Sequence, residues 1–141
     1  MTTVLAFDYG NKLIGIAVGQ RITQTASPLV TLERKHGPPW PAIATLIEQW
    51  QPSWLLVGLP LGRDGEEQPI TLAARQFAAT LRNKFANDKL GCDFVDERYS
   101  SQAAEQLVSK NKTMAKSGKR WDRNAVAAML LAESWLYDHP L

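Results

Sequence analysis

The chain has 141 residues, 45% hydrophobic and 21% charged, which is the make-up of one ordinary folded domain with a real core and excludes a disordered chain. No apolar run nears the roughly 18 residues of a membrane span, the N-terminus lacks the basic start of a signal peptide, and the lone Cys92 cannot form an internal disulfide, so a cytoplasmic protein with no membrane partner is expected. The net charge of +2 hides an asymmetry: Lys110, Lys112, Lys116, Lys119, Arg120 and Arg123 face one acid, Asp122, so residues 110–123 carry +5 and the rest −3. A basic segment on a mildly acidic body points to a polyanionic partner, although a solvated loop would show the same charge run.

Val4 to Phe7 is a short apolar run ending in Asp8 and reads as a buried strand. Leu13 to Gly19 follows across the Gly10-Asn11-Lys12 turn, so the two should form an antiparallel hairpin. Ser27 to Leu32 is a third strand, antiparallel to the second, and Gly37-Pro38-Pro39 breaks the pattern. Ile43, Leu46, Ile47 and Trp50 fall at helical spacing, and Pro52 ends that helix. Trp54 to Val57 is an unbroken apolar strand leading into the glycine-rich stretch Gly58 to Gly65. Ile70, Ala74, Phe77, Ala78, Leu81 and Phe85 mark a second helix, with Pro69 near its first turn. Cys92 to Val95 is a short strand that runs into Asp96, Glu97 and Arg98. Ser100-Ser101 suit the N-cap of a third helix through Leu107, residues 110–120 read as a mobile basic loop, and Ala125 to Tyr137 forms a largely buried last helix.

The order βββαβαβαα gives an α/β fold over residues 1–141 as one domain. Its five-stranded mixed sheet is a three-strand antiparallel meander plus two parallel strands, with helices on both faces. The right-handed crossover rule sets the fourth strand beside the first and parallel to it. The carboxyl ends of the first, fourth and fifth strands then share one edge, where open α/β sheets bind ligands. Asp8 and Glu97 meet there despite their distance in sequence. Carboxylates gathered at one point repel unless a cation lies between them, and oxygen donors without His or Cys suit Mg²⁺ or Mn²⁺. Such sites serve phosphoryl transfer. Each acid also has a plainer reading: Asp8 as a turn cap, Glu97 as the ion-pair partner of Arg98, and Asp122 as the N-cap of the last helix.

Four segments together resemble the YqgF family of nucleases. They are Ala6 to Gly19, Gly58-Leu59-Pro60-Leu61 closing with Asp64-Gly65, Asp96-Glu97-Arg98-Tyr99-Ser100-Ser101, and Ala125 to Leu131, in family order and over nearly the whole chain. The resemblance implies an RNase H-like fold and three acids that hold a divalent metal, Mg²⁺ or Mn²⁺. Asp8 and Glu97 carry over as the first two. The family's third Asp falls on Asn124, with Asp122 two residues earlier. Two residues on a regular helix are a rotation of about 200°, so both side chains cannot point inward from one helix. Either Asp122 supplies the third carboxylate from a loop or first turn, or Asn124 supplies a neutral oxygen; the greater worth of a carboxylate to the metal favours Asp122.

Lys12, Arg63 and Arg98, with Lys116, Lys119 and Arg120 in the basic segment, are the candidates for nucleic-acid backbone contacts. Arg63 stands where the family often has an apolar residue. The resemblance implies two substrates: the 5′ end of precursor 16S rRNA, which is preferred, or four-way DNA junctions. A junction resolvase needs two symmetric sites and hence a dimer. No dimer surface is evident in the sequence, and the expected state is a monomer or weak homodimer. A non-catalytic RNA-binding ribosome-assembly factor is the alternative of another class. An actin-like ATPase or sugar kinase also opens on an Asp-x-Gly hairpin, but would need a second domain to close over its nucleotide.

Overall fold

Residues 3–86, 90–96 and 122–141 are described by the computed structural model. Strand β1 (Thr3–Tyr9) turns at residues 10–12 into β2 (Leu13–Gln20), and β3 (Thr25–Glu33) follows. Helix α1 (Trp40–Trp50) leads to β4 (Trp54–Leu59), helix α2 (Pro69–Lys84) to β5 (Gly91–Asp96), and α3 (Arg123–Asp138) closes the described chain. The sheet order is β3-β2-β1-β4-β5. β1 and β2 pair antiparallel, as do β2 and β3, while β4 runs parallel to both β1 and β5. This is the expected mixed sheet. The expected helix from Ser100-Ser101 to Leu107 and the basic loop at 110–120 lie outside the described residues.

Alternation along β1 divides the core into two layers. Leu5, Phe7 and Tyr9 point to one face and meet Ile43 of α1 and Ala74, Phe77, Ala78 and Leu81 of α2. Val4 and Ala6 point to the other and meet Leu131, Ala132, Trp135 and Leu136 of α3. Phe77 anchors the first layer, edge-on to Phe7 at 5.7 Å and stacked on Trp40 at 5.4 Å. Each such pair adds about 0.5–1.5 kcal/mol beyond area burial. Trp135 anchors the second: its indole Nε1 donates to Asp93 Oδ2 at 2.9 Å, and its ring lies 5.2 Å from that of Trp54.

The helix ends follow from local chemistry. Pro41 occupies the first turn of α1, and Gln51 ends the helix in a left-handed conformation (φ 47°) with its N–H on the Ile47 carbonyl. At the start of α2 the Gln68 N–H donates to Thr71 Oγ1 at 3.0 Å, and the buried Thr71 hydroxyl donates to the Pro60 carbonyl. That bond ties the helix to the loop after β4. β3 is longer than its apolar pattern predicts, because it is an edge strand whose ends, the polar Thr25 and Glu33 and the small Ala26, still pair with β2. Among the described residues no helix is long and apolar enough to cross a membrane.

Candidate active site

Asp8 lies in a row of residues that crosses the sheet near the carboxyl end of β1. Gly15 of β2 is its cross-strand partner, and Thr31 of β3 is in turn opposite Gly15. On the other side, one step beyond the Phe7–Val57 pair, stands Gly58, which pairs with Val95 of β5. Asp8 shares a face with Val4 and Ala6, the face covered by α3. With glycine on both flanks, no neighbouring side chain in the row crowds the half-buried carboxylate.

Gly15 also determines how close α3 comes. A Cβ built there would fall 1.9 Å from the Asn124 carbonyl oxygen and 2.8 Å from the Ala125 nitrogen. The first turn of α3 therefore rests directly on the sheet, one strand away from Asp8. Strands lie about 4.8 Å apart, so a neighbouring strand is within reach of a side chain. An isolated glycine inside an apolar strand is a known sign of close backbone approach, and Gly15 is a site residue that the motif reading passed over.

Asp122 is the N-cap of α3, in extended conformation, and is exposed. Its Oδ1 accepts from the Asn124 backbone N–H at 2.7 Å and from Asn124 Nδ2 at 3.0 Å. Partial burial pushes its pKa up. That effect is outweighed by hydrogen bonding from the Asn124 N–H, by the Thr31 hydroxyl, and by the Asn124 carboxamide and Ala125 N–H, so the net displacement is downward. The Thr31 hydroxyl is buried and makes no hydrogen bond of ordinary geometry, yet lies close enough to the Asp122 carboxylate to stabilise its charge. The sequence argument that Asp122 and Asn124 point apart holds only inside a regular helix. Asp122 precedes the helix, and the capping turn brings the two side chains together.

The basic candidates are placed less closely. Lys12 is exposed in the β1–β2 turn, and Arg63 is exposed in the loop after β4. That loop is wired internally: the Gly62 N–H donates to the Glu66 carbonyl at 2.8 Å, and the Asp64 N–H to Glu66 Oε2 at 3.0 Å. Arg34, which no motif marked, clamps the Lys12 turn. Its Nη1 donates to the carbonyls of Gly10 and Asn11, and its guanidinium stacks on the Tyr9 ring at 4.2 Å. Glu97, Arg98, Lys116, Lys119 and Arg120 lie outside the described residues; β5 ends at Asp96, opposite Leu59.

Among the described residues no three His, Cys, Asp or Glu side chains form a metal cluster. The donors that are described, the carboxylates of Asp8 and Asp122 and the Asn124 amide oxygen, are all hard oxygens. Donors of that kind suit a divalent cation of the Mg²⁺ type.

The sheet order and the acid at the end of its first strand define an RNase H-like fold of the resolvase type. The fowlpox virus resolvase, solved with substrate Holliday junction DNA, superposes with a TM-score of 0.61 over 96% of this chain and 97% of that one at 12% identity. RuvC of T. thermophilus, solved in complex with a Holliday junction substrate, gives 0.55 over 98% and 95% at 14% identity. At such identities the likeness concerns the fold. Residues 2–138 match the RuvX family, described as Holliday junction resolvase, and the chain belongs to that family. A Nitrosococcus oceani relative is 43% identical over 94% of this chain and 85% of its own length, and one from Haemophilus ducreyi is 41% identical over 99% of both. Both are named "Putative pre-16S rRNA nuclease". The family and these relatives make the chain a nuclease, a hydrolase of nucleic acids.

Proposed function

We propose that this nuclease depends on a divalent metal, Mg²⁺ or Mn²⁺, and processes the 5′ end of precursor 16S rRNA in the cytoplasm. The observation that carries the reading is Asp8, flanked by Gly15 and Gly58 at the ligand-binding edge of the sheet, with the Asp122–Asn124 turn brought down one strand away. Asp8 and Glu97 would hold the cation, and the Asp122–Asn124 pair would supply the third donor. A cation so held neutralises the clustered acids and polarises the scissile phosphate. The chain's own groups do the rest. The capping bonds hold the Asp122 pKa below the ordinary carboxylate value, so its charge persists further into acid. The positive end of the α3 dipole favours an anion beside it. Lys12 and Arg63, with Arg98, Lys116, Lys119 and Arg120, would hold backbone phosphates, contacts that give affinity with little sequence preference.

The rRNA reading is supported by relatives near 40% identity over almost their whole length, whereas the solved junction complexes are 12–14% identical. Those complexes and the family description favour four-way DNA as the second reading, which requires two copies of the chain acting together. The test is cleavage of end-labelled precursor rRNA and of a four-way junction, with Mg²⁺, Mn²⁺ or EDTA, by the wild type and Asp8→Asn. Metal-dependent cutting that Asp8→Asn abolishes supports the nuclease mechanism, and the substrate that is cut chooses between the readings. Cutting that survives EDTA or Asp8→Asn refutes it. Tight RNA binding without cutting, unchanged in Asp8→Asn, would support the assembly factor instead.

A further inference from the structure

The capping turn contains two groups that each look able to supply the third oxygen donor, and the hydrogen bonds between them assign different roles. Asn124 Nδ2 donates to Asp122 Oδ1, and the same Oδ1 accepts the Asn124 backbone N–H. The carboxamide is thereby fixed in one of its two orientations, because its oxygen facing the carboxylate would be repelled. Its nitrogen is spent on Asp122 and its oxygen is turned away from it. Asn124 is also the residue whose backbone rests on Gly15, the cross-strand partner of Asp8. Asp122 itself precedes the helix as its N-cap, held by the Asn124 backbone N–H.

We propose that Asn124 supplies the third donor through its amide oxygen, and that Asp122 is a positioning residue that holds the carboxamide. This rests on the metal-dependent reading above. The carboxylate of Asp122 acts on the cation through Asn124, as an outer partner orients a ligand. The arrangement explains why a carboxylate and a carboxamide two residues apart are bonded to each other instead of competing for one position.

The experiment is Mn²⁺ affinity by calorimetry, with thermal melts alongside, for Asp122→Ser, Asn124→Ala and their double variant. Serine is itself a good N-cap, so Asp122→Ser keeps the helix start while losing the grip on the carboxamide. Asp122→Ser is expected to weaken Mn²⁺ binding about tenfold in the wild-type background, and to change it by less than twofold once Asn124 is alanine. A loss on Asp122→Ser that is equally large in the Asn124→Ala background would make Asp122 a direct ligand and overturn the proposal. So would unchanged Mn²⁺ binding in Asn124→Ala. Asp8→Asn separates the two levels: if it leaves Mn²⁺ binding intact, the metal reading itself fails.

Discussion

Replacing Gly15 by alanine tests the contact on which the site depends. The added methyl would sit 1.9 Å from the Asn124 carbonyl oxygen and 2.2 Å from its carbon. Both are backbone atoms of a helix that buries Ala125, Val126, Ala127, Ala128, Leu131, Ala132, Trp135 and Leu136, so neither can swing aside. Ordinary contact requires the first turn of α3 to recede by more than 1 Å. Overpacking of this kind costs about 1–3 kcal/mol, a drop of several degrees in melting temperature for a chain of this size. The effect on catalysis should be larger, since a misplacement of about 1 Å can cost roughly 100-fold in rate. Gly19→Ala is the matched control. It lies on the same strand, but its methyl would meet the ends of side chains, Val4 Cγ2 at 3.0 Å and Leu136 Cδ1 at 3.1 Å, away from Asp8. The assay compares cleavage rate and urea stability for both variants. Gly15→Ala should lose far more activity than its stability loss explains, and Gly19→Ala should lose stability alone. A Gly15→Ala protein that cuts at the wild-type rate would refute the claim that the seating of α3 builds the site.

Three further outcomes follow from single contacts. Asp122→Ala should cost about 1 kcal/mol of stability at pH 7 through loss of the cap. Because the folded pKa of Asp122 lies below its ordinary 3.8, that contribution is complete above pH 3.8 and is lost as pH falls through the lowered value, so urea titrations of wild type and variant should converge only in strong acid. Arg34→Ala removes bonds to the Gly10 and Asn11 carbonyls and the stacking on Tyr9; it should cost about 2 kcal/mol and raise KM several-fold with kcat little changed, because it frees the turn that carries Lys12. Cys92 has its thiol pKa pushed up from 9.0 by burial, which outweighs the lowering effect of Arg82 and is joined by a smaller rise from Asp93, so alkylation by iodoacetamide should be slow at pH 7.5 and rise only in alkali.

The sheet was legible because its strands announce themselves in different ways. Val4–Phe7 and Leu55–Val57 are apolar on both faces and buried on both, as a central parallel pair must be. β3 was legible only in its middle, since an edge strand has polar ends that do not stand out from a loop. The site divides along the same line. Asp8 stands out as a candidate because a charge closing a buried strand is conspicuous on its own. Arg34 does not, because it acquires its role from partners far away in sequence, the carbonyls of Gly10 and Asn11.

The sequence offers Asp122 as the N-cap, which it is, but the bond between Asp122 and Asn124 is not legible there, for a physical reason of the same kind. Helical rotation separates residues two apart only where both are helical, and the N-cap is by definition the residue that is not. At that boundary the chain bends back, and a carboxylate can bond to the side chain of the second helical residue as well as to its N–H. Geometry that forbids cooperation inside a helix thus permits it at the helix start. Gly15 then sets this boundary on the sheet beside Asp8. A neutral carboxamide in such a place is not by itself the mark of a lost acid. Held by an ionised carboxylate one bond away, its oxygen is more electron-rich and better oriented than that of a solitary asparagine, and the negative charge that a cation requires lies one hydrogen bond further out.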